Sequence, residues 1–276
     1  MILHLFAPTP AEARGFVKWR LAFFAIMHGL ALLSFWHFST AGVALAFALY
    51  LLSGGLGISL GYHRYFCHKA FQAGPFLENI MMLAGSLAFL GGPISWVAWH
   101  RAHHRFENRP GDPHARNRGF VWSHFGWSLF AGANQYSRRK ELADLSHISH
   151  KPLAIWLEKY HLHLNLIIFG IAALILPWDI FLMGFPLRIV IIWHITWLIN
   201  SLAHDNDTEG ESARNIPFLA LISFGEGLHL NHHRSPANAN FSNKRNQIDL
   251  GYSIIRLLKI TRLAEEVHDT PSANLR

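Results

Sequence analysis

Cysteine is almost absent: Cys67 stands alone in 276 residues, so no disulfide can form within the chain and nothing points to an oxidising compartment. Charge is scarce as well. Asp, Glu, Lys and Arg make up 15% of the chain, against about a quarter in an ordinary soluble protein. The net charge of +7 is interleaved with apolar runs of membrane length. That pattern suits a membrane protein facing an anionic leaflet and argues against a nucleic-acid partner. Glu12, Arg14 and Lys18 interrupt the N-terminus before any apolar run, which argues against a cleavable signal peptide. Internal repeats and low-complexity tracts are missing, and the length suits one domain.

What is present is apolar. Four runs are close to the length of a membrane span: 21–38, 41–62, 164–182, which is kinked or ended near Pro177, and 185–203. Ser53, Gly54, Gly55 and Gly57 suit close helix packing in lipid. Ile80 to Trp99 is as long as a span, but Gly85, Gly91, Gly92 and Pro93 break it, so it reads as lying on or dipping into the membrane. A short basic lead-in, Met1 to Arg20, lies at the surface, and Ile248 to Leu263 reads as an amphipathic helix. Arg188 is the only Lys or Arg near the two short hairpin links. The others fall with both termini, the central loop 63–160 and the segment 204–276, which the positive-inside rule places in the cytosol. The expected fold is therefore an all-α, multi-pass integral-membrane domain over residues 1–276. It has four transmembrane helices in two hairpins, a cytosolic histidine-rich helical cap and interfacial helices.

Histidine is the abundant functional residue. His229, His232 and His233 stand at i, i+3 and i+4, and His100, His103 and His104 repeat that spacing, so on a helix each set projects from one face. His63 and His68 form a looser pair, and His204 follows Asn200 by one helical turn. Nine histidines in four clusters exceed what one metal can use, which predicts a two-metal site. Asp and Glu are missing from the clusters apart from Glu226, which disfavours hard Mg and Ca sites. Finger-type zinc is excluded by the lack of cysteine. An all-imidazole set suits Fe, Zn, Cu or Ni. The Glu-x-x-His pattern of soluble two-iron bundles is absent.

These boxes resemble those of the integral-membrane fatty-acid desaturases, in particular the delta-9 (stearoyl-type) acyl desaturases. His63-Arg-Tyr-Phe-Cys-His68 looks like the family's His-x-x-x-x-His, and His100-Arg-Ala-His103-His104 matches His-x-x-His-His. Gly-Glu226-Gly-Leu-His229-Leu-Asn-His232-His233 is close to Gly-Glu-Gly-x-His-x-x-His-His. Asn200-Ser-Leu-Ala-His204 resembles Asn-x-x-x-His, in which the histidine ligates metal and the asparagine holds a metal-bound water. Asp112-Pro113-His114 and Ser123-His124-x-Gly126-Trp127 are similar to family text, and Trp96, Thr196 and Trp197 resemble residues beside the substrate tunnel. The likeness runs from about Leu45 to Leu258. It implies two irons held by the nine histidines, O2 as co-substrate, and an apolar tunnel for the acyl chain. Two hydrogens leave neighbouring carbons to form a cis double bond.

The chain departs from the acyl-CoA members at Ala98-Trp99, where those carry Arg-Asp, and at Leu90, where animal members have Gln. The acyl carrier is thus open between CoA, lipid and carrier protein. No cytochrome b5-type segment is present, so the resemblance implies an external electron donor such as ferredoxin or a cytochrome b5-type protein. Arg138-Arg139-Lys140 offers a basic run to an acidic donor or to acidic lipid. His114 and His124 are candidates for holding a ligand's second nitrogen, while His147, His150, His161, His163 and His194 fit no box. Two rivals stand beside the delta-9 reading. One is a sister lipid hydroxylase or a desaturase of other position. The other is a non-enzymatic metal-binding membrane protein, which would string its ligands along a pore rather than gather them at one face.

Overall fold

The computed structural model describes residues 15–131, 145–206 and 210–269, so Arg138-Arg139-Lys140 lies outside the described residues. The chain is mostly helical. Its one described sheet pairs β1 (Gln72–Ala73) antiparallel with β2 (Ala264–Glu265).

Helix α1 is Lys18–Leu33 and α2 is Thr40–Cys67. Ser39 caps α2 by accepting a hydrogen bond from the Gly42 N–H, which closes the tight link. From Leu51 onward α2 winds as a π-helix. In that winding the N–H of one residue meets the carbonyl five residues back, and the His68 N–H lies 3.1 Å from the His63 oxygen. The looser pair of the sequence is therefore brought together here, the two rings meeting edge to face with centres 4.9 Å apart. An α-helix would splay the two rings apart.

Helix α3 (Pro75–Ser86) packs along α2 at close range. A side chain added at Gly57 would fall 2.3 Å from the Gly85 nitrogen, so the two backbones can touch only because the position is glycine. The chain then breaks before α4 (Pro93–Phe106), where Gly91 has φ +105° and Pro93 opens the next helix. The long apolar stretch is thus two helices, not one span. Glu158 fastens the start of α4 by accepting hydrogen bonds from the N–H and hydroxyl of Ser95.

A short α5 (Phe120–His124) follows, then α6 (Pro152–Ile175) and α7 (Trp178–Leu202). The boundaries correct the expected spans. The third run is a helix that begins at Pro152 and stops before Pro177, and the fourth begins at Trp178, not 185. Proline cannot continue the helical hydrogen bonding, so the third helix ends where Pro177 led the sequence to expect a kink or an end. Arg188 then falls well inside α7, not near its outer end. It is buried and bonds Ser53 Oγ at 3.1 Å and the Leu87 oxygen at 2.8 Å. Among the described residues, α2 and α7 are long and apolar enough to cross a membrane. At 16 residues α1 is about 24 Å long.

The remaining helices, α8 (Pro217–Ile222), α9 (His229–Arg234) and α10 (Leu250–Ile260), close the histidine-bearing end. Arg64 ties them down. Its buried guanidinium pairs with Asp249 at 3.0 Å, donates to the Phe224 and Ala239 oxygens, and lies 3.9 Å from the Phe241 ring centre.

Candidate metal centre and substrate cavities

Four stretches deliver the histidines: the end of α2, helix α4, the turn after α7, and α9. Their Nε2 atoms converge on two points. In the first group His63 meets His232 at 3.0 Å and His232 meets His104 at 2.9 Å. His104 meets His100 at 2.9 Å, and His100 meets His68 at 3.0 Å. In the second group His103 meets His204 at 3.1 Å, His204 meets His229 at 2.9 Å, and His229 meets His233 at 3.1 Å.

The second and third boxes each divide between the groups, while His63 and His68 stay together in the first. His100 and His104 enter the first and His103 the second, whereas His229 and His233 enter the second and His232 the first. The expectation of one shared face is therefore too simple. On a helix the residue three on is rotated about 60° to one side and the residue four on about 40° to the other. Two points on either side of one helix can thus each take a share, and α4 and α9 exchange shares in opposite senses.

Hydrogen bonding among neutral imidazoles does not explain this packing. A neutral Nε2 carries one proton or one lone pair, yet His104 Nε2 faces two others, and so does His204 Nε2. A metal at about 2.1 Å from nitrogens set at right angles places them about 3.0 Å apart, which is the spacing found. Burial drives His100, His104, His229 and His232 well below the usual histidine range, and neighbouring histidines push the same way. Neutral imidazole is the form that binds metal.

The outer nitrogens are held selectively. Glu226 accepts from His63 Nδ1 at 2.5 Å and from Ser59. Burial acts to raise its carboxyl, but His63 and Arg64 outweigh that and hold it below the usual range. Asp112 lies 3.1 Å from His103 Nδ1 and also accepts from the backbone N–H groups of Asn108 and His114. Burial pushes Asp112 up to about 8, against those backbone donors. The His114 ring packs 4.3 Å from that of His103, and burial lowers it to about 3.

Glu107 is a residue that sequence reasoning missed. Its carboxylate lies 3.3 Å from His204 Nδ1 and 3.1 Å from His233 Nδ1, and it accepts from the N–H and hydroxyl of Ser212 at 2.7 Å. Burial opposes ionisation, yet the bonds from His204 and His233 hold it far below the usual carboxylate range. A signal was present, since Glu107 follows His103 by four residues on a stretch poor in acid.

His124 is a correction in the other direction. It bonds Ser201 Oγ at 2.9 Å and His194 Nδ1 at 3.0 Å, away from both groups, because α5 faces the middle of α7. His147 bonds the Phe66 oxygen, and His161 the carbonyl of its own helix.

Two adjoining cavities reach the box histidines, and a third adjoins one of them. One, of about 70 Å³, runs from Tyr50 and Gly54 past Ile192 to His63, His100 and His103. A narrow one of about 50 Å³ shares Trp96, His100, Thr196 and Asn200 with it and reaches His114. The third, of about 370 Å³, shares Leu90, Trp99, Trp127 and Trp197 with the narrow one and leads out to Trp19 and Arg20. Trp96 stacks on His100 at 5.2 Å where the passage meets the metal centre. Trp96, Thr196, Trp197 and Asn200 thus line one cavity beside the histidines.

A histidine-lined centre of this kind, fed by an apolar passage between helices, is oxidative lipid chemistry in outline. The fatty acid desaturase family model matches residues 39–243, and the chain belongs to that family. It is 36% identical over 266 residues to the sn-2 palmitoyl-lipid 9-desaturase of Nostoc sp. (strain 36), covering 92% of each chain. It is 37% identical to the sn-1 stearoyl-lipid 9-desaturase of Anabaena variabilis, covering 89% of this chain and 91% of the relative. The sn-1 stearoyl-lipid 9-desaturase of Synechocystis sp. is 35% identical, over 96% of this chain and 84% of its own. The protein is a fatty acid desaturase, an oxidoreductase with two histidine groups able to bind metal.

Proposed function

We propose that the protein inserts a cis double bond at the delta-9 position of a saturated acyl chain esterified to a membrane lipid. Two irons are the resident metals, O2 is the co-substrate, and electrons come from an external donor of the ferredoxin or cytochrome b5 type. His63, His68, His100, His104 and His232 hold one iron. His103, His204, His229 and His233 hold the other, with Asn200 contributing through water. The observation that carries the reading is the convergence of nine Nε2 atoms on two points beside adjoining cavities lined largely by apolar side chains. Zinc would satisfy the nitrogens but has no redox chemistry, which favours iron.

When bound, the metals supply O2 activation and removal of hydrogen from an unactivated methylene, which no side chain can do. The chain's own residues do the rest. Trp96, Thr196 and Trp197 fix which carbons stand beside the histidines, because they line the cavity that adjoins His100. The apolar walls exclude water from the reacting carbons. Asp112, Glu107 and Glu226 hold protons on the outer nitrogens, which sets the tautomer that turns each Nε2 inward. Four spans with both termini and the site on the cytosolic side complete the proposal; α2 and α7 and the distribution of basic residues support it.

The test is the fatty-acid profile of a desaturase-deficient host expressing this chain, with double-bond positions fixed by mass spectrometry. New cis-delta-9 chains are expected. A hydroxylated product, or a bond elsewhere, discards the delta-9 assignment and keeps the oxidase. O2 uptake that depends neither on substrate nor on metal would leave only a metal-binding protein.

A further inference from the structure

The widest cavity holds one charged side chain. Among the described residues lining its 370 Å³, Arg20 is the only Asp, Glu, Lys or Arg, and the other walls are largely aromatic. Its Nη1 donates to the Ser128 oxygen at 2.7 Å, which orients the guanidinium, and among the described residues its other N–H groups meet no hydrogen-bond acceptor. The nearby carboxylate of Glu158, behind Gly92, is turned onto Ser95.

Arg20 stands in the first turn of α1, beside Trp19, which is 53% exposed, on a helix whose outer face carries exposed Ile26, Leu32 and Leu33. A tryptophan and a basic residue at the start of an apolar face mark the level at which a helix meets the lipid headgroups. Trp19 and Arg20 both line the cavity, so its lining includes that level. At the two positions before the second histidine box, Ala98 is buried in the core and Trp99 packs on Trp127 at 5.6 Å. Neither offers a charge to a soluble, multiply anionic carrier.

We propose that Arg20 is the headgroup site of an anionic glycerophospholipid. The phosphodiester takes the guanidinium's free N–H groups, and the ester-linked chain passes between Phe23, Leu90 and Trp99 toward the histidines. This deepens the desaturase reading and rests on it. Nothing covalent happens at Arg20; it selects the carrier.

The experiment uses the metal-loaded enzyme in detergent micelles with an electron donor and three carriers: dipalmitoyl-phosphatidylglycerol, a neutral dipalmitoyl galactolipid, and palmitoyl-CoA. New double bonds are counted in each by mass spectrometry. The wild-type protein is expected to favour phosphatidylglycerol. Arg20→Gln is expected to raise KM for that lipid about tenfold with kcat little changed, and Arg20→Lys to recover most of the loss. Equal falls in kcat on every carrier would reduce Arg20 to a latch on Ser128 and overturn the proposal. So would a preference for palmitoyl-CoA that Arg20→Gln abolishes, because the phosphate would then come from a soluble carrier. Double bonds formed with no effect of Arg20→Gln overturn the headgroup site alone. A wild-type enzyme that forms none on any carrier overturns the desaturase reading itself.

Discussion

The two histidine groups are built on opposite plans. The group of five has more imidazoles but few outer supports: Glu226 holds His63, while His232 Nδ1 is buried without a partner among the described residues. The group of four has three of its histidines braced, His103 by Asp112 and both His204 and His233 by Glu107, while His229 Nδ1 meets no partner among the described residues. Five imidazoles nearly fill a six-position metal by themselves. Four leave open positions, and each remaining ligand then carries more of the affinity, so its orientation and basicity matter more. Number substitutes for bracing in one group, and bracing for number in the other.

Removing one ligand breaks the comparison most severely. His103→Ala leaves three imidazoles in the smaller group, and His232→Ala leaves four in the larger. Both are expected to abolish turnover while membrane insertion is retained. Bound iron measured per chain should fall from about two to about one in His103→Ala and less completely in His232→Ala. Near-normal activity in either variant would remove that box from the site.

The larger group is steadied by Arg64 as well, which lies beside His63 and ties α2 to the loop before the third box. Arg64→Ala strips a buried partner from Asp249 and is expected to cost about 3–5 kcal/mol of stability. Thermal unfolding in detergent would show it. A shift no greater than that of an exposed control such as Arg105→Ala would show that the cap is held by packing alone.

Much of this was legible in the sequence, and the failures have physical causes. The boxes announced all nine histidines, and Gly91-Gly92-Pro93 announced the break before α4. The division of the second and third boxes into two groups was not legible, because i+3 and i+4 flank the same face of a helix and the pattern alone reads them as one set. Only the position of the second metal-binding point separates them. Pro177 was legible as a kink or an end of the third run, but the bounds were not: the helix starts at Pro152, well before Leu164, and the next begins at Trp178, because hydropathy follows apolar content and not where the backbone hydrogen bonding starts. Glu107 was not legible because it falls outside the histidine boxes themselves. Its partners His204 and His233 lie far along the chain and become neighbours only in the fold.

Glu107→Gln tests the bracing of the smaller group. One carboxylate serves two histidines and Ser212, and losing its charge leaves two Nδ1–H donors facing a neutral amide. A fall of about 100-fold in activity or metal affinity is expected, at the upper end of effects for such partners. Chelator competition should show one iron leaving early and the other staying.

Glu226→Gln sharpens the contrast from the other side. Glu226 serves one histidine among five, and the other four stay in place when it is neutralised. The amide oxygen can still accept from His63 Nδ1, so the tautomer survives and only the added basicity is lost. A fall of about tenfold is expected, an order of magnitude gentler than for Glu107→Gln. Should Glu226→Gln prove the harsher change, number would not be what holds the larger group. Its metal would then depend on His63 above the rest, and the Glu226–His63–Arg64 cluster would be the true brace of that side.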